Sequence, residues 1–547
     1  GEDAYGFARL NQTMLDLPDC RYLAVSIEGR RLCITDSRVR LYRKRPDFRT
    51  GILEPHVQWL TDSQILVNII WESLLSMTRK HIGALRLRIH SEEKIDIILH
   101  SGIGMPVQRA MAGLDPRVGT ILTKPSLHCI GSGYQAEGTE NRPGFQAMFK
   151  TVESALHLSC GAVHECSAPM HIERFSSDDP QLPGLQFFCT STDLVFSKYF
   201  YYHSSGRPGE TVPLELSQRY RQEAAQVTWD DLVEKQRSYY GSFWTHADVQ
   251  VVGDEKLQQA LRFNLFQLNQ STGSDGMSSL AAKGLTGSGY EGHYFWDTEI
   301  YGMPFFNHTV PDTARALISY RISTLDLARA RAREMSQRGA LYPWRTINGL
   351  EASAYFPAGT AQYHINADIA YSILQYLEVT GDYTILAEGA AEVLIETARL
   401  FLDLGFFNPE KGGQFCLNEV TGPDEYSALI DNNCYTNVMV LHHFKGVTWI
   451  ADQLKEHHQE LWSRLEHQLG ITEEELHRFA EAARLMYIPF DPVRAINPQD
   501  DHFLFKEVWE EQKRGVLRHP MLLHYHPLVI YRHRLIKQAD TVPAMLL

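Results

Sequence analysis

Up to about residue 210, apolar and polar positions alternate in short segments, as in Tyr22-Leu23-Ala24-Val25-Ser26-Ile27, Leu85-Arg86-Leu87-Arg88-Ile89 and Ile95-Asp96-Ile97-Ile98-Leu99. A period of two bounded by turn residues predicts strands. Many short strands at close intervals predict a large β-sandwich. Near Leu214 the period changes, and the charged, aromatic stretch to about Phe243 predicts a helical linker. From about Asp254 apolar residues recur every three to four positions. Lys256–Gln270, Asp312–Met335, Asn366–Thr380, Gly389–Leu404 and Thr472–Met486 are the clearest predicted helices. Such a succession suits a helical bundle, a solenoid or a closed α/α barrel, and periodicity does not choose among them. The expected divisions are 1–213, 214–248 and 249–547.

The chain has 547 residues, too many for one small core. Its 44% hydrophobic and 22% charged content are those of a globular protein. A net charge of -14 argues against nucleic acid or an anionic membrane as a main partner. No apolar run approaches the roughly 18 residues a membrane span needs. The eight cysteines form no CxxC pair, so a reducing, cytoplasmic setting is expected rather than a disulfide frame or a zinc site. The first residue is Gly1 and no leader pattern follows, as in a trimmed or partly represented chain.

Chemistry concentrates in the loops of the helical half. Asn418-Glu419-Val420-Thr421-Gly422-Pro423-Asp424-Glu425-Tyr426 sets two carboxylates and a phenol on a Gly-Pro turn, just before Asp431-Asn432-Asn433. A carboxylate in a partly enclosed aromatic pocket can act as a proton donor. The plainer alternative is an acidic loop that caps a helix through Asp424 or Glu425. Gly287-Ser288-Gly289-Tyr290-Glu291-Gly292-His293-Tyr294-Phe295-Trp296-Asp297-Thr298-Glu299 is the second dense segment. Trp296 beside Asp297 suits a sugar, the indole covering its C–H face and the carboxylate accepting from its hydroxyls. The indole also suits an ordinary core. The glycine spacing nearly mimics a dinucleotide motif, but no βαβ unit surrounds it. Tyr342 to Glu351 and Ala358 to Asn366 interleave Arg345, Asn348, Glu351, Gln362 and His364 with aromatics, either as a wet sugar-reading pocket or as a self-satisfied loop. His524-Tyr525-His526-Pro527 is read as structural rather than metal-binding. Lys537 and Gln538 are placed at the end of an apolar helical run.

Together these segments resemble glycoside hydrolase family 65, the inverting disaccharide phosphorylases. The resemblance is carried by Gly289–His293 with Phe295–Glu299, by Thr421–Tyr426, by Leu523–Pro527 and by Lys537-Gln538-Ala539-Asp540, in the family's order. It implies a multidomain β + α protein: an N-terminal β-sandwich, a helical linker and an (α/α)6 barrel catalytic domain. It also implies Glu425 as general acid, and Trp296 and Asp297 with Lys537 and Gln538 at the donor glucose. Tyr290, His293, Arg345, Glu351 and His364 are the further substrate-binding candidates. The loop from Arg345 to His364 corresponds to the acceptor-selecting region, and its wording is most similar to that of trehalose phosphorylases.

The mechanism implied is single displacement: phosphate attacks the anomeric carbon while Glu425 protonates the departing oxygen. An inverting hydrolase needs two carboxylates about 6.5–9.5 Å apart. A phosphorylase needs one acid and an anion site. The expected reaction is phosphorolysis of an α-glucosyl disaccharide, trehalose first, to β-glucose 1-phosphate and glucose. Alternatives are an acid trehalase-like hydrolase, a phosphorylase for kojibiose, nigerose or maltose, or a non-catalytic sugar-binding fragment. No cofactor and no metal are expected, with inorganic phosphate as co-substrate. The expected partners are a disaccharide and phosphate, without nucleic acid or membrane, and a homodimer is left open. Family members continue past Lys-Gln-Ala-Asp into a phosphate-binding loop, so the barrel is expected to be incomplete at its C-terminal end.

Overall fold

The computed structural model describes residues 11–35, 38–105, 126–134, 142–176, 182–206, 210, 214–285, 289–353 and 359–545. Gly287, Ser288 and Ala358 of the site motifs lie outside them. The chain folds as two compact units.

One unit is built on an antiparallel sheet of eleven strands. These are β1 Leu23–Ile27, β2 Arg30–Arg31, β3 Val39–Asp47, β4 Ile52–Leu60, β5 Leu66–Leu75, β6 Ile82–Gly102, β7 Leu127–Tyr134, β8 Gly144–Thr151, β9 His157–Cys166, β10 His171–Ser176 and β11 Pro183–Ser204. The order runs β3-β4-β5-β6-β11-β9-β8-β7, with β1 on β2 and β6, and β10 on β11. Two strands expected to be separate, around Leu85–Ile89 and Ile95–Leu99, are one 21-residue strand. The polar interval Ser91-Glu92-Glu93-Lys94 looks like a turn in the sequence. β11 nevertheless pairs on both sides of it and takes up the irregularity as a bulge between Ser191 and Asp193. Alternate positions such as Ile69, Leu87, Ile97, Phe187 and Phe196 fill the core. The predicted linker is two helices, α1 Leu214–Gln226 and α2 Trp229–Ala247. Thr228 caps α2 by accepting from the Asp231 N–H. Trp229 lies under the Arg86 guanidinium at 4.5 Å.

After α3 Glu255–Ser271 comes the helical unit, which also includes residues 11–14. Its helices are α4 Met303–Thr309, α5 Pro311–Ser323, α6 Leu325–Glu334, α7 His364–Thr380, α8 Ala391–Leu404, α9 Cys434–His457, α10 Gln459–Leu469 and α11 Glu473–Leu485. The predicted Asp312–Met335 helix is divided at Thr324, whose hydroxyl donates to Tyr320 O and whose backbone leaves helical geometry. α7 is the central element: 12 of its 17 residues are buried, and it packs against α9, α4 and α5. α9, which the sequence reading does not single out, carries buried polar groups such as Asn437 and His443 on its packed surface. Those groups blur the apolar stripe that would announce it. Among the described residues no helix is long and apolar enough to cross a membrane.

Candidate active site

The acid turn is closed like a short hairpin. Val420 and Ile430 exchange both backbone hydrogen bonds at 2.9 Å, and Thr421 N–H donates to Ala361 O. Asp424 and Glu425 then separate in role. Asp424 is wholly buried. Its Oδ1 accepts from the backbone N–H groups of Tyr426 and Lys537 at 3.1 Å, and its Oδ2 accepts from Gln499 Nε2 at 2.9 Å. Asp424 N–H in turn donates to Asp540 Oδ1 at 2.8 Å, and Asn433 Nδ2 donates to Asp540 Oδ2 at 2.8 Å. The turn and the Lys537–Asp540 segment are thus latched reciprocally. Gly422 belongs to the latch, because a Cβ there would run into the Asp540 carboxyl and the Asn433 amide. Burial pushes the Asp540 carboxyl up to about 8.

Glu425 points the other way. Its side chain is 16% exposed, and Lys537 Nζ donates to its Oε2 at 2.7 Å. Lys537 and Gln538 lie on an irregular exposed segment rather than at the end of a helical run. The preceding helix is only Pro527–Tyr531, and beyond it the backbone finds other partners, Arg534 N–H donating to Glu507 O and Lys537 N–H to Asp424 Oδ1. His526 caps that short helix through Nδ1, so the His-x-His pair serves structure there.

Asp297 meets solvent, yet surrounding protein desolvates its carboxyl and raises it above the ordinary carboxylate range. Asp368 adds to that rise, while His364 and Lys537 oppose it, which places all three within electrostatic reach. Lys537 thus pairs with Glu425 and lies within electrostatic reach of Asp297. Trp296 is only 6% exposed. Its indole, expected beneath a sugar, is covered by Tyr301, His364 and Tyr435 at centroid distances of 5.4, 5.2 and 5.9 Å. His364 is fully buried, with Nδ1 2.6 Å from Asp368 Oδ2 and Nε2 3.2 Å from Gln362 Oε1. Tyr435 OH donates to the other Asp368 oxygen at 2.8 Å. This wall fixes the Trp296 ring and the backbone that presents Asp297.

The second wall is the 345–351 loop. Glu351 is turned inward on its own loop: Oε2 accepts from Trp344 N–H at 2.7 Å and Oε1 from Ser353 N–H at 2.8 Å. Desolvation pushes its carboxyl up to about 7. Arg345 pairs with Glu291 at 3.1 Å, both side chains buried. His293 is buried and held neutral, its imidazole driven down to about 4 by desolvation and the nearby Arg345. Its Nδ1 donates to Tyr290 O at 2.6 Å, leaving Nε2 as a buried acceptor without a protein partner. Trp344 Nε1, Thr360 Oγ1 and Gln362 Nε2 are likewise buried and unpartnered. Buried polar atoms are normally satisfied, so a cluster on three adjoining segments suits a hydroxyl-rich ligand. Tyr290 and Trp344 meet the Phe295 ring edge-on at 5.4 and 5.0 Å, which ties this wall to the Trp296-Asp297 segment.

The sequence motifs thus assemble in the helical unit, but with divided labour. Glu425, Lys537 and Asp297 carry the exposed charges. His364 and Glu351 organise the walls. Asp540, Asn433, Gln499, Asp368 and Tyr435 were not assigned roles from the sequence, most of their partners being remote in the chain. Asp424 stood there as one of the turn's two carboxylates, with a helix cap as its plainer role. Among the described residues no group of three His, Cys, Asp or Glu side chains could hold a metal ion.

A carboxylate-and-lysine site on a helical unit that follows a β-sheet unit in the chain suits a carbohydrate-processing enzyme. Residues 1–243 match the model of the glycosyl hydrolase family 65 N-terminal domain, and residues 262–547 match that of the family's central catalytic domain. The chain is an enzyme of glycosyl hydrolase family 65. It is 37% identical over 554 residues to the alpha,alpha-trehalose phosphorylase of Thermoanaerobacter brockii and 39% identical over 555 residues to that of Geobacillus stearothermophilus, spanning 100% of this chain and 70% of each relative. The kojibiose phosphorylase of Halothermothrix orenii is 28% identical, over 96% of this chain and 69% of its own. A solved structure from the human microbiome, assigned as a kojibiose phosphorylase, superposes over 100% of this chain and 70% of its own with a TM-score of 0.84 at 23% identity. That match speaks for the fold.

Proposed function

We propose that the protein catalyses inverting phosphorolysis of an α-glucosyl disaccharide, trehalose before others, giving β-glucose 1-phosphate and glucose. Glu425 acts as general acid on the departing glycosidic oxygen. Inorganic phosphate is the nucleophile and needs no protein base, because it is already an anion. Asp297, Lys537 and Gln538 hold the donor glucose. Trp296 and His364 shape the wall behind it, and Arg345 with Tyr290 and His293 lines the acceptor side. Asp424 and Asp540 position the acid. In this reading the helical unit is most of an (α/α)6 barrel, the strands form a β-sandwich, and 214–248 is the linker. The enzyme needs no cofactor.

The observation that carries the proposal is the latched pair: one carboxylate and one lysine, Glu425 and Lys537, at 2.7 Å. The likeness to two trehalose phosphorylases sets the preferred substrate. The test is incubation with trehalose, with and without phosphate. β-Glucose 1-phosphate forms only with phosphate. Glucose released at the same rate without phosphate overturns the proposal in favour of a hydrolase. Kojibiose is the second substrate to try, given the kojibiose phosphorylase relative. Glu425→Gln is expected to lower kcat by roughly a hundredfold to ten-thousandfold with little change in sugar affinity. Retained kcat removes Glu425 from the acid role.

A further inference from the structure

Residues 11–14 belong to the same unit as the site, although some 280 to 340 positions of chain separate them from its walls. They carry an unusual density of bonds for an exposed segment. The Gln12 side-chain oxygen accepts from the backbone N–H groups of Ile347 at 2.7 Å and Asn348 at 3.0 Å. Its amide nitrogen donates to Leu350 O at 2.9 Å. One side chain thereby satisfies three backbone groups of the turn that follows Arg345. Met14 N–H donates to Glu291 O at 2.9 Å. Asn11 Nδ2 donates to Glu291 Oε2 at 3.1 Å, the same oxygen that accepts from Arg345 Nη2.

The loop is braced on its other sides as well. Glu351 holds its inner backbone. Gly349, at φ +92°, sits so close to Thr324 and Leu327 that a side chain would not fit. Gly292, at φ +83°, is confined by the arm itself, since a Cβ there would lie 2.6 Å from that of Met14. The arm therefore braces a further side of the loop, through Ile347, Asn348 and Leu350. A buried Arg–Glu pair is costly unless its remaining lone pairs are satisfied, and Asn11 supplies such a donor.

We propose that Asn11 and Gln12 are positioning residues for the acceptor side of the site: they fix where Arg345 and its loop stand and so help select the leaving sugar. The inference rests on the phosphorolysis proposal, within which this loop faces the acceptor. It assigns a role in specificity to a segment at the far end of the sequence from the acid. Among the described residues the hydrogen bonds of Asn11, Gln12 and Met14 to the site go to Glu291, Ile347, Asn348 and Leu350 and not to Glu425 or Lys537, so their loss acts on one substrate and spares the other.

The experiment is the synthetic reaction from β-glucose 1-phosphate and glucose, with the double variant Asn11→Ala, Gln12→Ala. KM for glucose is expected to rise about tenfold, as for the loss of a few modest hydrogen bonds. KM for β-glucose 1-phosphate stays within about twofold of wild type on the same reasoning. The relative rate with xylose, which lacks the hydroxymethyl group, rises. Amide hydrogen exchange supplies a readout independent of turnover: Ile347 and Asn348 exchange faster in the variant, and the 420–426 turn does not. Unchanged glucose KM and xylose preference overturn the specificity role. An equal rise in both KM values, or faster exchange throughout the helical unit, overturns it as general destabilisation. A wild-type protein that turns over no disaccharide overturns the phosphorolysis proposal and the acceptor role with it, while the exchange measurement still decides whether the arm holds the loop.

Discussion

Asp424 and Glu425 are adjacent carboxylates with opposite duties. The sequence shows both on a Gly-Pro turn and does not divide them. The division comes from depth: Asp424 is buried and both its oxygens accept from backbone or amide donors, while Glu425 is partly exposed and pairs with Lys537. Gly422 is fixed by the same packing. Gly422→Ala forces a methyl against the Asp540 carboxyl and the Asn433 amide. It should destabilise the protein by ~1–3 kcal/mol, in the range for overpacking, and lower activity further by displacing the acid. Urea denaturation alongside kcat checks this, and unchanged stability would show that the latch yields easily. The Trp296-Asp297 pair was legible as a motif. That its indole is buried and only its carboxylate open was not, because Tyr301, His364 and Tyr435 close over the ring from elsewhere in the chain.

Among the elements, α9 shows how a helix start serves a site. Asn433 is its N-cap, accepting from Thr436 N–H at 2.9 Å while its amide donates to Asp540. One side chain thus starts the helix and anchors the latch. Asn433→Ala removes both bonds, and a cap alone is worth about 1 kcal/mol. The expected loss is therefore ~2 kcal/mol, with the Asp540 carboxyl left without its amide donor. A thermal melt tests it; a variant within a few tenths of a kcal/mol of wild type would mean that another donor takes the place of Asn433. Periodicity found α7, α8 and α11 within a few residues, since each has a strong apolar stripe. It missed α9, whose packed side includes Asn437 and His443, and it joined α5 to α6 across Thr324. The placement of Lys537 on a helix failed for a related reason. Backbone groups beyond Tyr531 bond elsewhere, Arg534 N–H to Glu507 O and Lys537 N–H to Asp424.

On the scale of the whole molecule, the acidic net charge of -14 conceals a buried cation. Lys198 in β11 is fully buried, donating to Tyr22 O at 2.9 Å and Gly102 O at 3.1 Å, and desolvation lowers its amine to about 7. Unfolded, it returns to 10.5. Between those values the unfolded chain binds the extra proton, so this residue makes stability rise with pH across the window. Lys198→Met is expected to flatten that rise, read as the difference between urea midpoints at about pH 7 and 9.5. Parallel slopes in variant and wild type would show that Lys198 is ionised in the fold. The two-part architecture was legible from the change of period alone. The participation of residues 11–14 in the helical unit was not, because contacts over such separations leave no periodic trace.

The reciprocal latch also sets an order of events during synthesis. Glu425 leaves the ribosome 112 residues ahead of Lys537. At an elongation rate of about 5–20 residues per second that is an interval of roughly 6 to 20 s. For that time the turn has its own Val420–Ile430 pairing and the Thr421–Ala361 bond but lacks Asp540 and Lys537, the partners that the later segment brings. The turn is thus completed only late, when a short irregular segment docks against Asp424 and Glu425.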